Sequence, residues 1–252
     1  MKKTLFWLGL AVFLFGTGRL IAHAEEIAGD VNTLVFCDFE DGLMCKTGQE
    51  WDMERGKIVM KEGREARGKG IYLDGTNRLT LPVRNNFNVE EGTVEMWFCP
   101  DWDGNMGLES YHHFFSAGNP AKYFNSWYIF YFNTNYKNNA TGLLMIAANQ
   151  SLMTGSQREL TGPFSWKAGE WHRIGGSWSF KEKKSSIMFD GKVVMETPLQ
   201  DKVINLMDPD IIEGGKIFLG CLLQANEKSP NALEGIVDDF RISRKFNDYI
   251  IK

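Results

Sequence analysis

The stretch GEWHRIGGSWSFKEKKSSIMFDGKVVMETP, Gly169–Pro198, decides the fold class. His172, Ile174, Gly176 and Trp178 share one face by period-two alternation, with Arg173, Gly175 and Ser177 on the other. A charged turn, Lys181 to Lys184, follows. Ser186, Met188 and Asp190 then alternate with Ile187 and Phe189. Asp190-Gly191 lies between two apolar runs, which marks a two-residue hairpin, because Asp and Gly adopt positive φ at little cost. Alternation and a tight hairpin together make this a β protein.

The same pattern extends outward. Strands are expected at Thr33–Phe39, Gly56–Met60, Gly70–Leu73, Arg78–Leu81, Gly92–Cys99, His112–Ala117, Ser126–Asn133 and Gly142–Ala148. Further strands are expected at His172–Phe180, Ser185–Phe189, Lys192–Thr197, Lys216–Leu223 and Gly235–Ser243. Asp41-Gly42, Asp74-Gly75, Asp103-Gly104, Asn138-Asn139 and Gly214-Gly215 punctuate them. Many short strands with regular turns predict an all-β, two-sheet antiparallel sandwich. Asn205 to Ile212 is expected to hold a short helical turn.

Residues 1–24 read as a signal peptide: a basic start at Lys2 and Lys3, an apolar run from Leu5 to Phe15, and Ala22-His23-Ala24 before Glu25. Residues 25–252 then form one domain with no linker, repeat or transmembrane segment after cleavage. A secreted or periplasmic location follows. Removing Lys2, Lys3 and Arg19 from the 28 basic residues leaves 25 against 32 acidic, a formal charge of −7. That excess excludes nucleic acid as a partner, which needs a basic stripe. Cys37, Cys45, Cys99 and Cys221 allow three disulfide pairings. A local Cys37–Cys45 clip across Asp41-Gly42 suits the spacing, and Cys99 with Cys221 would then bridge neighbouring strands. The bland alternative is free buried thiols.

The motifs EGTVEMWFCPDW (Glu91–Trp102), SWYIFYFN, GEWHRIGGSWSF, SSIMFDGKVV, GKIFLGC and GIVDDFRIS occur in that order. Over roughly Gly70 to Ser243 this resembles the laminin G-like members of the concanavalin A-like lectin/glucanase superfamily. The opening CDFEDGLMC resembles the start of MAM domains. The resemblance implies a jelly-roll sandwich with one concave sheet, whose first and last strands lie side by side. It does not single out an activity, because this fold hosts lectins, adhesins, glycosidases, lyases and spacers.

Alternation in Gly235–Ser243 places Asp238 with Phe240 and Ile242, facing the core, and Asp239 on the other face. A buried carboxylate needs a partner. In related jelly rolls an acid at this position helps to hold structural Ca²⁺; here the metal residues would be Asp38, Glu40 and Asp238, with carbonyls near Lys69 and Gly70. Pairing with amides or a nearby cation is the alternative.

The aromatic strand Ser126–Phe132 directs Trp127, Ile129 and Tyr131 one way and Tyr128, Phe130 and Phe132 the other. One row is core; the other faces the concave surface or solvent. With Trp102, Tyr111 and Tyr123 from the irregular Asp101–Asn125 stretch, Trp127 and Tyr131 are the expected ligand-binding residues, since exposed Trp and Tyr rings stack on sugar faces. Packing under loops is the alternative reading. His112 and His113, adjacent on a strand, face opposite ways and cannot share one metal; His172 is expected to pack beside Trp178. Retaining glycosidases need two acids about 5 Å apart on one face. The nearest match, Asp208-Pro209-Asp210-Ile211-Ile212-Glu213, carries a proline within its would-be strand. Asn139-Ala140-Thr141 and Asn149-Gln150-Ser151 fit glycosylation sequons.

The expected function is therefore non-catalytic recognition of a polysaccharide, glycoconjugate or extracellular protein. A carbohydrate-active hydrolase or lyase, or a structural envelope module without sugar binding, are the alternatives. The missing acid dyad disfavours the enzyme.

Overall fold

The computed structural model describes residues 24–64, 68–104, 110–121, 127–134, 140–146, 166–199, 209–221 and 232–251, with the backbone alone at 110, 130–134, 140–146 and 209. Residues 1–23 of the signal segment, Tyr123, Asp208 and the sequon asparagines Asn139 and Asn149 lie outside them. Helix α1 spans residues 24–29. Then come β1 (Thr33–Cys37), β2 (Asp52–Arg55), β3 (Met60–Glu62), β4 (Lys69–Asp74), β5 (Arg78–Pro82) and β6 (Glu91–Pro100). Next are β7 (Ser110–Gly118), β8 (Trp127–Thr134), β9 (Ala140–Ile146), β10 (His172–Ser179), β11 (Lys184–Phe189) and β12 (Lys192–Pro198). Helix α2 (Pro209–Ile212), β13 (Lys216–Leu219) and β14 (Glu234–Ser243) complete the order.

Sheet A runs β12-β11-β10-β6-β14-β4-β3, with β1 also on β14; sheet B runs β2-β5-β13-β7-β8-β9. Every strand pair is antiparallel. The fold is thus a two-sheet, antiparallel jelly-roll sandwich. The expected pairing of first and last strands holds, with Phe36 opposite Arg241 and Cys37 opposite Phe240. One expected strand fails: residues 56–59 link β2 to β3, where Gly56 has a φ of 96° and approaches Asn77 closely.

The apolar faces meet between the sheets. Val94, Met96 and Phe98 of β6, Ile174 and Trp178 of β10, and Phe240 and Ile242 of β14 oppose Leu79, Leu81, Phe115, Trp127 and Ile217. The Trp178 indole N–H donates to the Val89 carbonyl at 3.2 Å, so the ring is buried without leaving its polar atom unmet.

Strand β14 departs from simple alternation. Asp238 opposes Trp97 and Arg241 opposes Glu95, so two residues face Met96 alone. Asp239 carries a φ of 46°. This is a β-bulge, which shifts the pleat by one residue. Val237, Phe240 and Ile242 all reach the core, and Asp238 does not share their face as alternation predicted. The bulge sits where β14 changes partner from β4 to β1.

Cys37 and Cys45 form a disulfide across eight residues. The second expected bridge is absent. Cys99 lies in sheet A opposite Ile236, whereas Cys221 follows β13 of sheet B, and both are free and buried. Burial pushes the Cys221 thiol up to about 12, which leaves it unreactive. Among the described residues no helix is long and apolar enough to cross a membrane.

Candidate functional site

One end of the sandwich gathers aromatic rings from both sheets. Strand β6 ends at Pro100, and Asp101 is held by its amide to the Glu234 carbonyl at 3.1 Å. Its carboxylate accepts a 2.6 Å hydrogen bond from the Tyr72 hydroxyl, which, with burial, pushes that phenol up to about 12. Trp102 then lies flat on His112 of β7, with ring centres 3.9 Å apart and 11° between planes. Trp166 meets Trp102 edge-on at 5.1 Å and stacks on Phe189 at 6.1 Å. Phe189 stacks on His172 at 5.2 Å. These rings make a continuous ladder from sheet B to the Asp190-Gly191 hairpin.

The loop is pinned at two points. The Gly104 amide donates to the Trp166 carbonyl at 2.9 Å, and a Cβ on Gly104 would stand 3.0 Å from the Trp166 ring. The Asp103 carboxylate accepts from the Ala168 amide at 2.8 Å and Lys167 Nζ at 2.9 Å, and these bonds hold its pKa down. Burial lowers the His112 pKa, and its Nδ1 lies 3.2 Å from the Ala232 carbonyl. A neutral imidazole donating Nδ1–H satisfies that contact. The result is a Trp102–His112 stack bordered by a hydroxyl and carboxylates, suited to stacking a sugar ring and bonding its edge.

The expected ligand-binding residues divide. Trp102 is half-buried at this end; Tyr111 is also half-buried, but it neighbours His112 in a regular part of β7 and so points to the other face of sheet B. Trp127 is not a platform: it is fully buried, set between Phe87 at 5.3 Å and Trp178 at 6.4 Å. The backbone of Tyr131 pairs with that of His112. The outward face of sheet B is not an open aromatic surface where it is described, since Thr80, Ser116, Tyr128 and Phe218 are all buried. His172 packs on Phe189 and Trp166, not beside Trp178 as expected. His112, Trp166, Phe189 and His172 join the site from separate segments, and no local motif announced them. Of the would-be acid motif, Asp210 falls in α2 and Glu213 follows it and pairs with Arg84 at 2.8 Å, so these two do not lie on a strand.

A second cluster surrounds the β14 bulge. The Asp238 carboxylate accepts from the Arg64 amide at 3.0 Å and the Asp239 amide at 2.8 Å. Arg64 stands 3.9 Å from Asp239, and Lys46 stands 3.6 Å from Asp38. Glu40 accepts from the Lys69 amide at 2.9 Å. Burial first, then the neighbouring Asp239, drives the Asp238 pKa upward, and burial drives Asp239 the same way. Negative charge here is therefore incompletely met, and the donors are hard oxygens, which fit Ca²⁺. Among the described residues no three such side chains already stand together at metal-holding spacing. Asp38, Glu40 and Asp238 would need backbone carbonyls to complete a shell.

No family model matches the chain, and no curated protein matches it. Solved structures do. Domain 4 of AbnA, a GH43 extracellular arabinanase from Geobacillus stearothermophilus, in complex with arabinotriose, is similar with a TM-score of 0.57 and 17% identity, covering 85% of this chain and 93% of that one. The enzymatically active domain of bacteriophage CBA120 tailspike protein 2 is similar with a TM-score of 0.52 and 10% identity, covering 79% of this chain and 29% of that one. The CBM40 of Ruminococcus gnavus IT-sialidase has a TM-score of 0.49 and 15% identity, covering 75% and 92%. At these identities the first two likenesses are of fold: this chain is a jelly-roll β-sandwich of their kind.

Proposed function

We propose that this chain is an exported, non-catalytic glycan-binding protein of laminin G-like type. Its saccharide contacts lie at the aromatic end, with Trp102 as the primary one and Asp101 and Tyr72 as polar neighbours. The observation that carries this reading is the Trp102–His112 stack, a rigid, uncharged aromatic pair half-open at the loop-bearing end of a sandwich. The fold likeness to a domain solved with arabinotriose supports it. Export is supported by the leader-like residues 1–24 and by the Cys37–Cys45 disulfide, a bond that persists in oxidising compartments. The ligand is a polysaccharide or glycoconjugate. Glycan-array binding by the wild type, lost in Trp102→Ala protein that keeps its circular dichroism, is the expected result. Release of reducing or unsaturated sugars from polysaccharides would point to an enzyme instead. An array blank across neutral and acidic glycans would point to a structural module.

We further propose that Asp38, Glu40 and Asp238 take up Ca²⁺ that stiffens the junction of β1, β4 and β14. The raised pKa of Asp238 supports this, because a cation meets the charge that burial leaves exposed to repulsion. Calcium supplies no chemistry to the aromatic end. A melting temperature unmoved by chelator, with no metal in the purified protein, would contradict it.

A further inference from the structure

The outer face of sheet A is polar, yet it is covered. Thr93 and Glu95 of β6, Arg173, Gly175 and Ser177 of β10, Ser186 of β11, and Arg241 and Ser243 of β14 all point away from the core by the same alternation that sends their neighbours inward. The C-terminal segment after β14 turns back across them. From Lys245 to Ile251 it makes no backbone–backbone hydrogen bond to the described residues. Its amides are instead met by sheet side chains. Phe246 donates to Glu91 at 3.0 Å, Asn247 to Ser177 at 2.8 Å, and Asp248 to Thr93 at 3.1 Å. Ile250 donates to Glu95 at 3.0 Å. Carbonyls are met in the same way: Lys245 by Thr93 Oγ1 at 2.6 Å and Asp248 by Arg241 Nη1 at 2.6 Å.

Three side chains anchor the segment. The Asp248 carboxylate meets Arg241 Nη2 at 2.8 Å and Ser243 Oγ at 2.5 Å. The Tyr249 ring lies over Gly175, where a Cβ would come 2.7 Å from Tyr249 Cε1. Ile251 is fully buried in an apolar pocket formed by Ile27, Phe36 and Trp97. Side chains reading a backbone, with one ionic, one aromatic and one aliphatic anchor, are how a receptor holds a peptide, here one that turns at Asn247, where φ is 53°. It is not strand addition, which relies on main-chain bonds between ligand and sheet edge.

We propose that the outer face of sheet A is a peptide-binding groove, filled in this chain by its own C-terminal segment, and that the partner it fits is the same segment of a second copy. The tether explains why the copy in cis wins at ordinary concentrations: a short linker gives the attached tail an effective concentration on the order of millimolar. Weakening the tail without touching the groove then opens the face to a tail supplied in trans. Asp248 and Tyr249 belong to the occupant, whereas Arg241, Thr93, Glu95 and Ser177 belong to the groove.

The test uses the full-length chain and a fluorescent peptide with the sequence of residues 244–252. The expected result is that Asp248→Ala/Tyr249→Ala protein binds the wild-type peptide at least tenfold more tightly than wild-type protein does. A peptide carrying Asp248→Ala does not bind. No binding to the double variant while its near-ultraviolet circular dichroism is native would overturn the proposal, as would equal binding of both peptides. Should the double variant not fold, hydrogen exchange of the wild-type chain decides. Amides of Asn247, Asp248 and Ile250 are expected to exchange ahead of those in β6 and β10, and faster still with excess peptide. Exchange of these amides only together with β6 and β10 would overturn it.

Discussion

The two faces of sheet A hold the molecule together by opposite means. Inward, β6, β10 and β14 present Phe98, Trp178 and Phe240 to a core closed by Trp127 and Phe115. Outward, the same strands present Glu95 and Arg241, both fully buried, in an ionic cluster. Arg241 spends every nitrogen there. Nε donates to Thr33, Nη1 to Glu95, and Nη2 to both Asp30 and Asp248. One guanidinium thus ties together the segment after α1, the central strand and the tail. Apolar burial is non-directional and tolerates repacking, whereas a buried charge cluster tolerates nothing that leaves a member unpaired. The core therefore makes the sheets adhere, and the outer face specifies where the chain ends go.

That contrast can be broken from either side. Arg241→Leu takes the shared cation from Asp30, Glu95 and Asp248, leaving Glu95 with Arg173 at 3.3 Å, and is expected to destabilise by about 3–5 kcal/mol in denaturant unfolding, with Arg241→Leu/Asp248→Leu losing less than the single change. Recovery absent in the double variant would show that packing, not charge pairing, governs that face. Trp127→Ala is expected to fall in a similar range, about 3–5 kcal/mol, with sugar binding unchanged where the protein remains folded. Loss of binding without loss of stability would restore Trp127 as a ligand contact. Cys45→Ser, which opens the short loop beside β1, should cost about 2.5 kcal/mol by loop entropy, read as a shift in the denaturation midpoint under non-reducing conditions.

The smallest expected effect concerns the acids at the bulge. In the metal-free protein burial, and then the neighbouring Asp239, hold the Asp238 carboxyl above the ordinary carboxylate range. A carboxyl with a raised folded pKa favours folding while protonated, so its contribution is full below about 4, the ordinary carboxylate value, and is lost as pH rises through the raised one. Melting temperature in chelator should fall by a few degrees across that range, and Asp238→Asn should flatten the slope. Added Ca²⁺ should also flatten it, and a slope indifferent to both would remove Asp238 from the account.

Strand identity was legible because alternation and Asp-Gly turns are local. The hairpin at Asp190-Gly191 stands where the pattern placed it, and Ile174 and Trp178 share one face of β10 as alternation required. The bulge at Asp239 was not legible, since one extra residue reverses the faces without altering composition. Nor was the burial of Trp127, because two-sided packing depends on what covers a strand. At the aromatic end Trp102 could be named from its loop. Trp166, Phe189 and His172 could not, since only the sandwich brings them beside His112. The outer ionic cluster escaped for the same reason: Asp30, Glu95, Arg241 and Asp248 are ordinary charges until two chain ends converge.

Titration calorimetry of wild-type and Trp102→Ala protein against oligosaccharides chosen by a glycan array tests the central claim most directly. Saturable binding by the wild type, reduced at least tenfold in a folded Trp102→Ala variant, is the predicted result. Equal affinities in the two proteins, or no oligosaccharide bound by the wild type, would contradict it.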